Sequence, residues 1–185
     1  MKIEKKKGVK IPQWLMLLIV ILVISAITAI INPRFLKINN IMNIFEQISV
    51  LGLVAVGATI IIISGNFDIS VGAIIGLSTC VMAICINAGI NSFLSALICI
   101  LISMLCTTLN GVLSILFKAP SFIISLATTS IFTGLGLFIT KGVIRTVYGQ
   151  FDFLSATRIF GFIPLLFVIC LLGFILVHLM LKYTQ

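Results

Sequence analysis

The sequence is built from long apolar runs, and the first of them, Trp14 to Ile31, passes without a single charged residue. A helix rises about 1.5 Å per residue, so roughly 20 apolar residues cross the hydrocarbon core of a bilayer, which is about 30 Å thick. Five further runs follow: roughly Ile48 to Ser64, Ile69 to Asn87, Phe93 to Phe117, Phe122 to Ile139 and Phe162 to Leu181. Inside lipid every backbone N–H and C=O must find its partner within the protein, which leaves helices or a closed barrel. The alternating polar pattern of a barrel strand is missing. The expected fold is therefore all-α, a polytopic transmembrane helix bundle of about six spans. Composition agrees: 61% of the 185 residues are hydrophobic and 9% are charged, which excludes an ordinary soluble domain.

The formal net charge of +8 would suggest nucleic acid in a soluble protein. Here the basic residues fall between apolar runs, and Lys2, Lys5, Lys6, Lys7 and Lys10 crowd the N-terminus, which is a topology signal. The expectation is a basic cytoplasmic tail over residues 1–13 and a membrane domain over 14–185, with the lipid bilayer as surroundings and no nucleic-acid partner. The first run is too long for a signal-peptide core of about 7–15 residues and has no matching cleavage site. Six crossings return the C-terminus to the cytoplasm, placing Lys118 and Lys182 inside and Arg34, Lys37, Lys141, Arg145 and Arg158 outside. The stretch Pro33 to Gln47 reads as interfacial, and Lys141 to Gly161 is the other long external connection.

The most informative stretch is Ser64-Gly65-Asn66-Phe67-Asp68-Ile69-Ser70-Val71-Gly72, where one apolar run stops and another starts with almost no linker. Gly65 suits the left-handed residue that ends a helix, and Asp68 suits a cap on the next. Two readings fit: a tight capped turn at the membrane surface, or a functional break at depth, where a carboxylate is costly and faces a cavity or partner. Gly72 and Gly76 form a G-x-x-x-G that permits close helix packing. Ser121, Ser125, Thr129 and Thr133 recur every fourth residue, and Thr107, Thr108 and Asn110 add polar groups to the preceding span. Such a stripe suits either a solute route or hydroxyls bonded to their own helix. The candidates for a translocation path are Gly65, Asp68, Ser70, Gly72, Asn110, Ser125 and Thr129.

Other chemistry finds little support. The five cysteines lie in apolar segments with no C-x-x-C pair, His178 is the lone histidine, and no metal or organic cofactor is implied. No G-x-S-x-G serine motif occurs. The chain also lacks G-x-x-x-x-G-K-[ST], so it is not expected to be an enzyme, and any ATP hydrolysis belongs to a separate subunit.

Leu53-Val54-Ala55-Val56-Gly57-Ala58-Thr59, then Ser64 to Gly72, then Leu77-Ser78 resemble the permease subunits of ribose-type bacterial sugar ABC transporters, a group that includes autoinducer-2 importers. The order continues with Asn110-Gly111, Ala119-Pro120-Ser121-Phe122-Ile123, Leu126-Ala127-Thr128 and Ile163-Pro164, and upstream with Asn32-Pro33-Arg34-Phe35 and Ile38-Asn39-Asn40. Two positions depart from the family pattern: Gly65-Asn66 replaces Gly-Gly, and Gly142-Val143-Ile144 lacks the family's proline. The resemblance implies import of a sugar across the bacterial inner membrane. Its partners would be an extracytoplasmic sugar-binding protein, a second permease subunit and a cytoplasmic ATPase subunit. Relatives continue through further spans after a Thr and a Gly-Arg pair, so the resemblance also implies a permease domain incomplete at its C-terminus, with Thr184 just before the coupling segment. The alternatives are a small oligomeric channel or secondary carrier independent of ATP, and an inactive membrane assembly factor.

Overall fold

A computed structural model describes residues 12–159 and 161–184. The lysine-rich part of the N-terminal tail, residues 1–11, lies outside the described residues, as does Gln185. Five helices are long and apolar enough to cross a membrane: α1 (Gln13–Ile31), α2 (Ile38–Ile63), α4 (Ser92–Phe117), α5 (Ser121–Thr140) and α7 (Leu165–Tyr183). Between α2 and α4 stands α3 (Val71–Asn87), 17 residues long. At about 1.5 Å per residue it measures about 26 Å, short of the hydrocarbon thickness. The expected sixth span is therefore a shorter helix preceded by non-helical chain, because Gly65 and Asp68 divert the backbone before Val71.

The described chain divides into two compact units, 12–45 and 46–184. In the first, α1 ends at Asn32, whose side-chain oxygen accepts the Arg34 N–H at 3.0 Å and starts a 3₁₀ turn, Pro33–Leu36. Asn40 donates its side-chain amide to the Phe35 carbonyl at 2.8 Å. The expected second span from Ile48 is corrected at its start, since α2 begins at Ile38, ten residues earlier, and only Pro33–Leu36 stands apart from it. Asn39, Asn40, Asn43, Glu46 and Gln47 are spaced polar residues, and spaced polar residues do not stop a helix as glycine or proline does.

In the second unit α3 is gripped by α4 and α5 around Ile74, Leu77, Cys106 and Phe132, with Ala73 and Ile102 against them. Gly136 brings α5 close, since a Cβ there would stand 3.8 Å from the Leu77 Cα. Most of the other buried residues are small and hydroxylated: Ser49, Ser70, Ser78, Ser95, Ser125, Thr128 and Thr140. Large apolar side chains such as Phe93, Leu105, Ile115 and Phe138 are exposed. Apolar residues outside and small residues between helices is the arrangement that lipid favours, because backbones then approach closely without any hydrophobic drive. Ser78 and Ser103 return their hydroxyls to carbonyls one turn back, so they enter helix contacts with their donors paired.

The α5–α7 connection carries α6 (Asp152–Ala156) and a two-residue antiparallel ladder, β1 (Arg158–Ile159) and β2 (Ile163–Pro164), with Arg158 opposite Pro164. It is tied down at several points. Asn87 bonds the Thr146 carbonyl, Ser92 bonds Gln150, and Arg158 stands 3.9 Å from Glu46. The helices α2 and α7 meet through glycine: a Cβ at Gly52 would stand 2.7 Å from the Cys170 Sγ, and one at Gly173 would stand 3.1 Å from Leu53.

That approach gives a direct test of the packing. A Gly52→Cys chain in oxidising detergent solution is expected to form an intramolecular disulfide to Cys170, seen by mass spectrometry as one disulfide-linked pair of peptides carrying positions 52 and 170. Recovery of both peptides only as free thiols would contradict the α2–α7 contact.

Candidate functional site

The helix α2 ends at a C-cap built as the local sequence dictates. Gly65 takes φ +80°, its N–H bonds the Ile62 carbonyl at 3.0 Å, and the Asn66 N–H reaches back to the Ile61 carbonyl at 3.1 Å. These are the two bonds of a Schellman motif, and they require a residue that enters the left-handed region cheaply. The chain then runs without helical structure until Val71.

Non-helical backbone in a membrane protein must find other partners, and here α5 supplies them. The Phe67 N–H donates to the Ser121 Oγ at 3.0 Å, and the Ile69 N–H donates to the Ser125 Oγ at 3.2 Å. Asp68 closes the segment locally: its Oδ1 accepts the Ser70 N–H at 2.7 Å and the Ser70 hydroxyl at 2.6 Å. Asn110 on α4 then donates its side-chain amide to the Ser70 Oγ at 2.7 Å. A directed relay results, from amide to hydroxyl to carboxylate. Ser70, fully buried, is its central member.

The position of Asn110 measures how deep the segment reaches. It lies seven residues before the end of α4 at Phe117, about 10 Å along the helix axis. Ser125 lies four residues inside α5, about 6 Å from its start. The broken segment thus runs beside the interior turns of two membrane helices. Asp68 also differs from its expected capping role, because it accepts from Ser70 rather than from the first turn of α3, whose N-cap Ser70 makes no side-chain cap bond.

A cavity of about 280 Å³ opens beside this segment. Asp68, Asn110 and Ser125 reach it, together with Ser64, Thr107 and Ser121, and Ile61, Phe67 and Ile115 supply apolar faces. Gly72 and Thr129 are elsewhere: with Gly76, Thr133 and Phe132 they line a separate groove between α3 and α5. Among the described residues, a Cβ added at Gly72 or at Gly76 would meet nothing within 4 Å, so the groove stays open at these two positions. Thr129 and Thr133 bond the Ser125 and Thr129 carbonyls, both at 2.7 Å. The hydroxyl stripe therefore splits, Ser121 and Ser125 serving the broken segment and the two threonines serving their own helix. Gly111 and Ser114 join Thr107 and Asn110 at helical spacing on one face of α4, although neither was among the expected path residues. Among the described residues no group of His, Cys, Asp and Glu has the arrangement of a metal site.

These features define a multi-pass α-helical membrane protein with a polar break between two of its helices. Residues 40–185 match the family described as branched-chain amino acid transport system / permease component, and the chain belongs to it. It is 36% identical to the ribose import permease protein of Bacillus subtilis over 133 residues, 72% of this chain and 40% of that relative. It is 33% identical to the autoinducer 2 import system permease protein of Photorhabdus luminescens over 125 residues, 68% of this chain and 38% of the relative. Against the protein of the same description from Yersinia enterocolitica it is 31% identical over 156 residues, 84% of this chain and 43% of the relative. The chain thus spans about two fifths of the length of the curated relatives it matches. No solved structure matches it.

The two classes of hydroxyl separate on mutation. Ser125→Ala leaves the Ile69 N–H without its acceptor and is expected to cost about 1–3 kcal/mol. Thr133→Ala removes only a bond within one helix and is expected to stay within about 0.5 kcal/mol of the parent. Equilibrium unfolding in mixed micelles measures both, and equal losses would contradict the assignment.

Proposed function

We propose that this chain is a membrane-path component of an ATP-driven sugar importer in the bacterial inner membrane. The observation that carries the reading is its family membership, together with relatives named for ribose and autoinducer 2 import. Cargo is a ribose-like sugar or a similarly small polar solute. A binding protein delivers it outside, a second permease subunit completes the path, and an ATPase subunit supplies the energy. The five lysines before Trp14 hold the N-terminus in the cytoplasm, so the Ser64–Ser70 break opens toward the cytoplasmic half of the membrane.

On this reading Asp68, Ser70, Asn110 and Ser125 form the polar part of the route, and Gly65 makes the break possible. Gly72, Gly76 and Thr129 sit on the α3–α5 groove, where Gly72 and Gly76 leave room for close packing by another membrane helix. Support for the route comes from the depth of the broken segment, because irregular backbone inside a membrane is tolerated where it is buried in protein or lines a cavity. A carboxylate placed there is costly, which favours a functional role for Asp68 over a purely structural one.

Tagged chain expressed in its own host is expected to co-purify with an ATPase subunit and a sugar-binding protein. D-ribose uptake by that system is expected to fall at least about tenfold, equivalent to about 1.4 kcal/mol, when Asp68→Asn is introduced at equal membrane abundance. Uptake that persists without any ATPase would favour an independent oligomeric carrier instead.

A further inference from the structure

Two cavities away from the broken segment join into one groove between α3 and α5. The first, about 350 Å³, runs along Gly72, Gly76, Thr129 and Thr133, and the second, about 420 Å³, opens beside Val143, Ile144 and Arg145. Cys80, Leu137 and Thr140 line both, so the two are continuous. The inner end is closed. Ser121, Ser125, Thr129 and Thr133 stand on one row of α5, and the first two are taken by the Phe67 and Ile69 N–H groups. The groove therefore runs along α5 from Thr129 to Thr140, eleven residues further on, or about 16 Å. That is about half of a hydrocarbon core about 30 Å thick, the depth of one leaflet.

The polarity of the groove is confined to its mouth. Thr79, Thr129, Thr133 and Thr140 each return the hydroxyl proton to a carbonyl of their own helix, at 2.7–2.9 Å. The Cys80 thiol, a weak donor, is what remains along the shaft. Arg145 brings a fixed positive charge and a fork of N–H donors to the mouth. Among the described residues no Asp or Glu lines either cavity, and the one ion pair joins Glu46 to Arg158, leaving Arg145 without a carboxylate. Val143, Ile144 and Tyr148, on the same loop, are exposed, which suits the boundary between lipid and water.

We propose that this groove binds an anionic phospholipid, with its phosphate on the Arg145 guanidinium and one acyl chain laid along α3 and α5 toward Gly72. The inference goes beyond the importer reading and does not depend on it. An acyl chain asks for no hydrogen bond along the shaft, and Gly72 and Gly76 leave it room. A phosphate asks for a cation, and a guanidinium meets two of its oxygens with parallel N–H groups. Basic pockets between membrane helices hold such head groups. A crossing partner helix would use the two glycines and leave Arg145 unanswered, whereas a lipid accounts for both ends of the groove.

The test is native mass spectrometry of the purified 185-residue chain in mild detergent, titrated with phosphatidylglycerol or with phosphatidylcholine of the same acyl chains. Saturable binding of phosphatidylglycerol is expected, at least about tenfold tighter than that of phosphatidylcholine. Arg145→Gln is expected to cut the preference to less than about twofold, whereas Lys118→Gln, at the C-cap of α4 and outside both cavities, leaves it unchanged. Gly76→Leu places a side chain in the groove without a backbone clash and is expected to weaken phosphatidylglycerol binding at least about tenfold with Arg145 intact. Glycerol phosphate, which carries the phosphate ester without the tails, is expected not to displace the lipid. Far-UV circular dichroism confirms that each variant keeps its helices. Equal binding of the two lipids by the parent chain overturns the head-group site, as does a preference that survives Arg145→Gln or falls as far with Lys118→Gln. Displacement by glycerol phosphate overturns the lipid in favour of a free phosphate ester. Unchanged lipid binding by a folded Gly76→Leu chain overturns the acyl groove, and loss of self-association in its place assigns the glycines to a partner helix.

Discussion

Every part of this structure answers to the pairing of backbone N–H and C=O groups in a medium that offers no water. Within α1, α2, α4, α5 and α7 the helix settles the matter residue by residue. Between Gly65 and Val71 it does not, and the chain recruits outside partners there. Ser121 and Ser125 take two N–H groups, and Asp68 takes a third. The position of α5 follows from this debt as much as from the packing of Phe132 against Ile74 and Leu77.

The same constraint explains what the interior is made of. A soluble core would bury its large apolar side chains, whereas here serines and threonines fill the helix contacts and Phe, Leu and Ile cover the outside. Small side chains allow the approach of Gly136 to Leu77 and of Gly52 to Cys170. Hydroxyls cost little in such contacts once their protons return to the carbonyl a turn below, as those of Ser78 and Thr140 do. The interior of the bundle is consequently rich in oxygen lone pairs, and the cavity beside Asn110 inherits that character.

Much of this was legible in the sequence, for identifiable reasons. Apolar runs report spans because the bilayer filters on length and polarity, and Gly65 reports a helix end because the left-handed conformation penalises other residues. The start of α2 was misplaced by ten residues because spaced asparagines carry no stop signal. The short α3 was hidden because apolar residues at 69 to 71 look alike whether helical or extended, and only the Asp68–Ser70 bonds distinguish them. Asp68, Ser70, Asn110 and Ser125 were each singled out as polar residues in apolar surroundings, but spacing alone did not say that they meet. Their separation from Gly72 and Thr129 depends on which side of α3 each faces, which spacing alone does not reveal.

The hydroxyls that pair with the broken segment have a consequence for how the chain is made. Phe67 and Ile69 precede Ser121 and Ser125 by 54 and 56 residues. At a synthesis rate of about 5–20 residues per second, their acceptors follow roughly 3 to 11 seconds later. During that interval no segment of the nascent protein offers those two amides the oxygens they end with. Residues 66–70 therefore wait in water, or in the polar interior of the insertion machinery, until α5 is delivered. Membrane insertion of this region is a delayed event governed by a later helix, and a ribosome pause before Ser121 lengthens the exposure.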